Sequence, residues 1–277
     1  MHKSPYEQLI TDGYCICPDV MHLEFVSRLR KTTENLCNGM SEDHKERYRV
    51  QGSMFHTNLH PIFADLVAWP SSLNQLKAMG FRDPKFTDGY IISKPPNSPG
   101  LFWHYDWFAW EDPTSYDPKP LQVFLMYYLE NTNPQNGCLR VIPGSHLYHN
   151  TLHEVIDKPH EESLSSARNL DGPEFSKRPD EIDVPIRAGD LLIGDARLLH
   201  ATHPNLTDSR RTVITLWFQP DFCDLPERIK AQMVEKTHTI PEDWSTAEKN
   251  KIAQLNPVYE GSAVPYRRSY YKRNPNG

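Results

Sequence analysis

The 277-residue chain carries 30 basic and 36 acidic residues, a formal charge of −6, with 38% hydrophobic and 24% charged residues. That balance is ordinary for a globular protein, argues against fibrous and disordered classes, and supplies no global attraction to nucleic acid or to an anionic membrane. No run of about 18 apolar residues offers a membrane span, the opening MHKSPYEQLITDG lacks the apolar stretch of a secretory signal, and five cysteines without a CxxC pair read as reduced thiols, so a cytoplasmic protein is expected.

One elaborated domain over residues 1–277 is expected, since β barrels and sandwiches commonly run to about 200–250 residues as one domain. GYCICPD, residues 13–19, reads as a short strand ending in a turn, with Asp19 placed to cap a helix over residues 20–37. Phe25, Val26, Leu29, Thr33 and Leu36 recur there at three- and four-residue steps, the stripe of a helix packed on a sheet. Two short helices follow around residues 62–69 and 73–81, divided by Pro70, Ser71 and Ser72. Residues 1–85 thus form a helical cover.

From residue 86 the pattern changes to short β-like runs separated by Pro, Gly, Asn and Asp: FTDGYIISK, FWHYDWF, LQVFLMYYL, GCLRVIP, IDVPIR, DLLIGD and RTVITLWFQ. Such runs with turn signals between them predict an antiparallel sandwich or barrel over residues 86–220. The long aperiodic segment at about 147–180 fits a lid over the barrel mouth. After Asp224, LPERIKAQMVEK and EDWSTAEKNKIAQL read as helices of a C-terminal extension over residues 221–277. Its basic, aromatic tail reads as solvated or surface-packed.

In FWHYDWFAW, residues 102–110, His104 and Asp106 stand two apart and share one face if the run is a strand. Two histidines and one carboxylate with open positions are the ligand set of non-haem Fe(II) oxygenases, but a lone His-x-Asp is a weak signal among 13 histidines. Residues 189–218 strengthen it with a histidine at 200 and with Arg210 and Arg211 opening an apolar strand. A buried strand beginning with arginine needs an anion, and the acid end of a dicarboxylate, held bidentately, would answer that need. His146, His149, His153, His160 and His203 read as turn or surface residues, because none has a ligand partner at strand spacing; Asp195 reads as a turn cap, with a carboxylate near the site as the alternative.

DGYCICPDV, SKPP at residues 93–96, HYD, NGCLRVIPGSH at 136–146, GDLLIGDARLLHATHPN at 189–205 and RRTV together resemble the phytanoyl-CoA dioxygenase (PhyH) family of Fe(II)/2-oxoglutarate oxygenases, in the family's order. The resemblance implies a mainly β protein with flanking helices around a double-stranded β-helix, the cupin-like jelly roll. It implies His104, Asp106 and His200 as catalytic iron ligands. Arg211 falls eleven residues after His200, where the family holds the distal carboxylate of 2-oxoglutarate; Arg210 is its rival by one position. Thr202 and Lys94 are implied beside that carboxylate.

The implied reaction is O2-dependent hydroxylation, or another C–H oxidation, with release of succinate and CO2. Asp106 favours it over halogenation, since related halogenases carry a small residue there. A small or medium-sized metabolite is the expected substrate, with quaternary-ammonium or phosphonate compounds, terpenoid-like metabolites and acyl-CoA as alternatives. Under strict alternation Phe102, Phe108 and Trp110 share the inward face and are candidates for substrate contact, while Trp103, Tyr105 and Trp107 face away. Two other classes stay open: a non-catalytic metal- or ligand-binding β-sandwich, and a zinc hydrolase on the same ligands. The oligomeric state is not legible.

Overall fold

The computed structural model describes residues 3–156 and 158–272. Helix α1 (Pro5–Asp12) begins with a capping box between Ser4 and Glu7 and stops at Gly13, whose φ of 86° favours glycine. Strand β1 (Tyr14–Cys17) follows, then α2 (Leu23–Asn38), which buries Phe25, Val26, Leu29 and Thr33 as expected. His22, not Asp19, stands at its N-cap: Asp19 takes a left-handed φ of 53°, and its amide donates to Asp190 Oδ1 at 2.9 Å, so it shapes the preceding turn. Next come α3 (Glu42–Arg47), β2 (Phe55–His56), α4 (Ile62–Val67) and α5 (Pro70–Ala78). The sequence pattern gave no sign of α1 or α3, which are short and largely polar.

The remaining strands are β3 (Lys85–Lys94), β4 (Leu101–His104), β5 (Val123–Tyr128), β6 (Leu139–Val141), β7 (Ile182–Val184), β8 (Leu191–Asp195), β9 (His200–Thr202) and β10 (Arg211–Gln219). They pair antiparallel in two sheets, ordered β1-β8-β5-β10-β3-β2 and β4-β9-β6-β7. This is the jelly-roll core of the fold class expected.

Period-two alternation decides which side chains enter the space between the sheets. Val123, Leu125 and Tyr127 of β5, with Ile214, Leu216 and Phe218 of β10, join one apolar cluster with Phe25 and Leu29 of α2, Phe63 and Leu66 of α4 and Leu76 of α5. Phe124, Met126 and Tyr128, with Val213, belong instead to a second cluster with Leu139 and Val141 of the smaller sheet. The helices therefore cover one face of the large sheet and leave the other for the site.

Strand β4 is shorter than its aromatic run suggested. The amides of Asp106 and Trp107 both donate to the carbonyl of Ala196, at 2.7 and 3.0 Å, which draws the chain off the β4 line just after His104. The 147–180 segment contains α6 (Leu152–Val155) and α7 (Glu162–Ser165) and packs against β4 and the loop after α3: Trp103 Nε1 donates to Ser176 O, and Val50 N to Ser165 O. After β10 come α8 (Glu227–Lys236) and α9 (Thr246–Ala253). The tail packs more deeply than a solvated one: Ser269 N donates to Phe108 O at 2.9 Å, and Tyr271 stacks on His153 at 4.0 Å. Among the described residues no helix is long and apolar enough to cross a membrane.

Candidate active site

His104 closes β4, His200 opens β9, and the two are register partners, which sets their rings 4.0 Å apart. Each ring is oriented by its own chain: His104 Nδ1 donates to Phe102 O at 2.9 Å and His200 Nδ1 to Leu198 O at 3.0 Å. A proton fixed on Nδ1 leaves the Nε2 lone pair as the free donor, the usual preparation of a metal-binding imidazole. Both Nε2 atoms face Asp106, at 3.8 Å from Oδ1 for His104 and 3.8 Å from Oδ2 for His200.

Burial, and then the neighbouring His200 and His160, push His104 well below the ordinary histidine range; burial also lowers His200. Both rings are therefore neutral at physiological pH, the state that binds a metal. Burial alone would raise the Asp106 carboxyl, but the hydrogen bond from His160 and the nearby His200 and His104 outweigh it and keep it ionised.

Asp106 is held from two further directions. Trp217 Nε1, on β10, donates to Oδ2 at 2.9 Å, and His160 Nε2 lies 3.3 Å from Oδ1 and 3.1 Å from Tyr105 O. His160 was expected among turn or surface residues; instead it reaches into the centre from the 147–180 segment and offers a ligand-type atom within 4.8 Å of those of His104 and Asp106. Nothing in an aperiodic loop marks which histidine will do this. Gly194 makes room for Phe124: a Cβ there would lie 2.2 Å from that ring, which packs 4.9 Å from His200.

Arg211, first residue of β10, is fully buried, and its Nε, Nη1 and Nη2 have no hydrogen-bond acceptor among the described residues. The Tyr128 ring lies 5.4 Å from the guanidinium, and burial pushes the arginine below its usual range. An unpaired buried cation of this kind is costly, so an anionic ligand fits here, and a carboxylate matches its planar fork. Gly137, at φ 85°, leaves the room: a Cβ would come within 3.4 Å of two of the guanidinium nitrogens. Neutral imidazoles with free Nε2 atoms, an ionised carboxylate between them and this arginine together match iron and a dicarboxylic keto-acid.

Arg210 faces away, its Nη1 donating to Ser93 O at 2.9 Å. Thr202 Oγ1, beside the same cavity as Arg211, accepts from Leu101 N at 3.3 Å. Lys94 is buried, and its Nζ donates to the carbonyls of Val50 and Pro99; burial, and then Arg211, push the amine far down.

These groups share a cavity of about 660 Å³. Arg211, Val213, Thr215 and Trp217 line it from alternate positions of β10, and Tyr90, Ile92 and Lys94 from β3. Trp217 thus had a sequence signal, its parity with Arg211. Phe102 and Phe108 also line the cavity, whereas Trp110 does not. The inward reading of Trp110 is corrected because β4 ends at His104: Trp110 is buried between Tyr105, Tyr116 and Tyr271, its Nε1 donating to Trp107 O.

The other histidines divide. His146 and His153 are buried rather than exposed, and His149 faces Glu154. His203 has ligand-type neighbours after all: its Nε2 is 2.6 Å from Asp183 Oδ1, beside Cys138, whose thiol burial pushes up to about 12. Asp195 accepts from the amide of Arg197 and pairs with its guanidinium at 2.6 Å, a buried turn-closing role.

The model of the family described as phytanoyl-CoA dioxygenase (PhyH) matches residues 10–213. Among curated proteins the chain is 28% identical to the dioxygenase lolE1 of Epichloe uncinata over 186 residues, 66% of this chain and 65% of that protein, so the match spans just under two thirds of that relative. It is 27% identical to an ectoine dioxygenase of Nocardia farcinica over 262 residues, 86% of each chain. Among solved structures, HygX from Streptomyces hygroscopicus with nickel and 2-oxoglutarate bound has the same fold, with a TM-score of 0.60, 20% identity, and coverage of 79% of this chain and 87% of that one.

Proposed function

Because the chain belongs to the phytanoyl-CoA dioxygenase family, whose members are Fe(II)/2-oxoglutarate oxygenases, we propose that it hydroxylates a small or medium-sized metabolite, with His104, Asp106 and His200 holding the iron and Arg211 the cosubstrate's distal carboxylate. The observation that carries this reading is Arg211, a fully buried guanidinium with no acceptor among the described residues, which lines the same cavity as His104, Asp106 and His200. A zinc hydrolase or a passive binding sandwich gives that charge no purpose.

Bound iron, 2-oxoglutarate and dioxygen would supply the oxidising power, turning a substrate C–H into C–OH while the cosubstrate leaves as succinate and CO2. The chain's own part is geometric and electrostatic. His104 and His200 present Nε2 because their Nδ1 protons are committed to Phe102 O and Leu198 O. Trp217 and His160 pin the Asp106 carboxylate, so it needs little reorganisation to act as a ligand. Arg211 fixes the far end of a dicarboxylate and so aims its keto-acid end, with Thr202 and Lys94 lining the same cavity. Phe102 and Phe108 give the cavity apolar wall near the centre, where they exclude water from the reacting C–H bond. An ionised Asp106 in the ligand set supports hydroxylation over halogenation.

The test is a metabolite screen in air with Fe(II) and 2-oxoglutarate, reading succinate release and substrate mass gain. At least one metabolite should give succinate in step with an added oxygen, and Asp106→Ala should abolish both. Absence of any 2-oxoglutarate consumption by iron-loaded protein would count against the reading.

A further inference from the structure

Among the described residues, two cations on the cavity wall form no ion pair with an acidic side chain. Lys236 ends α8 and Arg268 lies on the returning tail; both line the cavity, and both fall beyond residue 213, where the family match stops. The other charges there are accounted for. Arg47 faces Glu162 at 3.4 Å, and Asp88 lies between His56 and His238 at 3.5 and 3.4 Å. Lys94 is tied to backbone carbonyls, while Asp106 and Arg211 serve the iron and the cosubstrate.

Lys236 Nζ and the Arg268 guanidinium instead share one ring, Phe108, at 5.0 and 3.7 Å from its centroid. A ring face attracts each cation but does not neutralise the pair. Their mutual repulsion is visible in the lysine: partial desolvation, and then Arg268, push its amine down to about 8. Desolvation likewise lowers Arg268, outweighing the opposing pull of Tyr270, Asp106 and Tyr105. Phe108 reaches toward the centre as well, with its ring 5.6 Å from that of His160, which touches Asp106. A quaternary ammonium, which rings alone would cage, would meet two positive charges at this wall.

We propose that Lys236 and Arg268 form a subsite for an oxyanion, so that the substrate of the hydroxylation proposed above carries a carboxylate or phosphate group, with its adjacent apolar part against Phe108. One oxyanion bridging the two cations relieves their repulsion and accepts charge-assisted hydrogen bonds from both. Specificity then comes from the C-terminal extension, and the chemistry from the barrel.

The test uses full-length protein loaded with Ni(II) and saturating 2-oxoglutarate, so that no turnover occurs and Arg211 is occupied. Calorimetry compares octanoate, octyl phosphate, octanol and octyltrimethylammonium. One or both anions should bind about tenfold or more tighter than octanol, the ammonium compound should bind weakest, and the better anion identifies the headgroup. Arg268→Gln and Lys236→Gln should each erase most of that preference, and Arg268→Lys should restore part of it. Equal binding of octanoate and octanol, no binding of either anion, or a preference that survives both substitutions would overturn the proposal. The 2-oxoglutarate affinity of the same samples separates the two claims: failure of the unsubstituted protein to bind it sinks the hydroxylase reading, whereas intact 2-oxoglutarate binding without anion preference sinks only the subsite.

Discussion

Arg211 and Arg210 differ by one position and by everything that matters for the site. Successive residues of a strand face opposite ways, so one guanidinium lies buried without an acceptor among the described residues while the other reaches Ser93 O. Arg211→Ala should therefore raise the 2-oxoglutarate KM about 100-fold, on the order of the 2–3 kcal/mol of a charge-assisted bidentate contact, with a smaller effect on kcat. Arg210→Ala should change that KM by less than about threefold, because it loses only a partly exposed bond. Steady-state succinate release at varied 2-oxoglutarate checks both. The sequence named both arginines but could not rank them by chemistry alone; the strand register decides. His104, Asp106, His200 and Arg211 were nameable because the order of the family's motifs constrains them; strand spacing alone does not place Asp106, since β4 ends at His104. Lys236 and Arg268 were not, because nothing local says which cavity a distant helix end or tail will line.

At the scale of elements, short β-like runs bounded by turn signals foretold β3, β5, β8 and β10, and strict alternation failed where a strand stops. The turn at Ala196 is a backbone interaction across some 90 residues, invisible to any window, and it moved Trp110 from the expected inward face into the core. The 147–180 segment carries no period at all, yet it delivers His160 to Asp106 with a left-handed φ of 73°. Residues outside a metal's ligand set that orient its ligands typically contribute 10–100-fold in metal affinity. His160→Asn, which tolerates the left-handed backbone, should weaken Fe(II) binding about tenfold with little change in Tm. Anaerobic Fe(II) titration with a competing chelator, beside a melting curve, checks this; unchanged affinity would reduce His160 to a packing residue.

For the whole molecule, the buried neutral histidines tie stability to pH. Burial lowers His153, which stacks on Tyr271, from the ordinary 6.5 to about 3, and lowers His146 as well. The unfolded chain takes up the His153 proton near 6.5 while the folded chain refuses it until far lower. The stabilisation is therefore complete above pH 6.5 and is lost as pH falls toward 3. Between about pH 7.5 and 5.5 His153 alone should remove on the order of 1.4 kcal/mol. Urea unfolding at the two pH values should show a shallower drop for His153→Phe than for the unsubstituted protein. That residue's burial depends on the tail, whose aromatic and basic composition read equally well as solvated. The β core, by contrast, was legible because many short runs and turn signals agreed.

The central claim is that one cavity holds iron through His104, Asp106 and His200 and a keto-acid through Arg211. It is tested most directly by adding Fe(II) and then 2-oxoglutarate to the protein without oxygen, and following the weak visible charge-transfer band of a chelated keto-acid. A saturable band is expected in the unsubstituted protein, none in Asp106→Ala, and one that needs far more 2-oxoglutarate in Arg211→Ala. No band in the unsubstituted protein, or the same 2-oxoglutarate dependence after removal of Arg211, would contradict it.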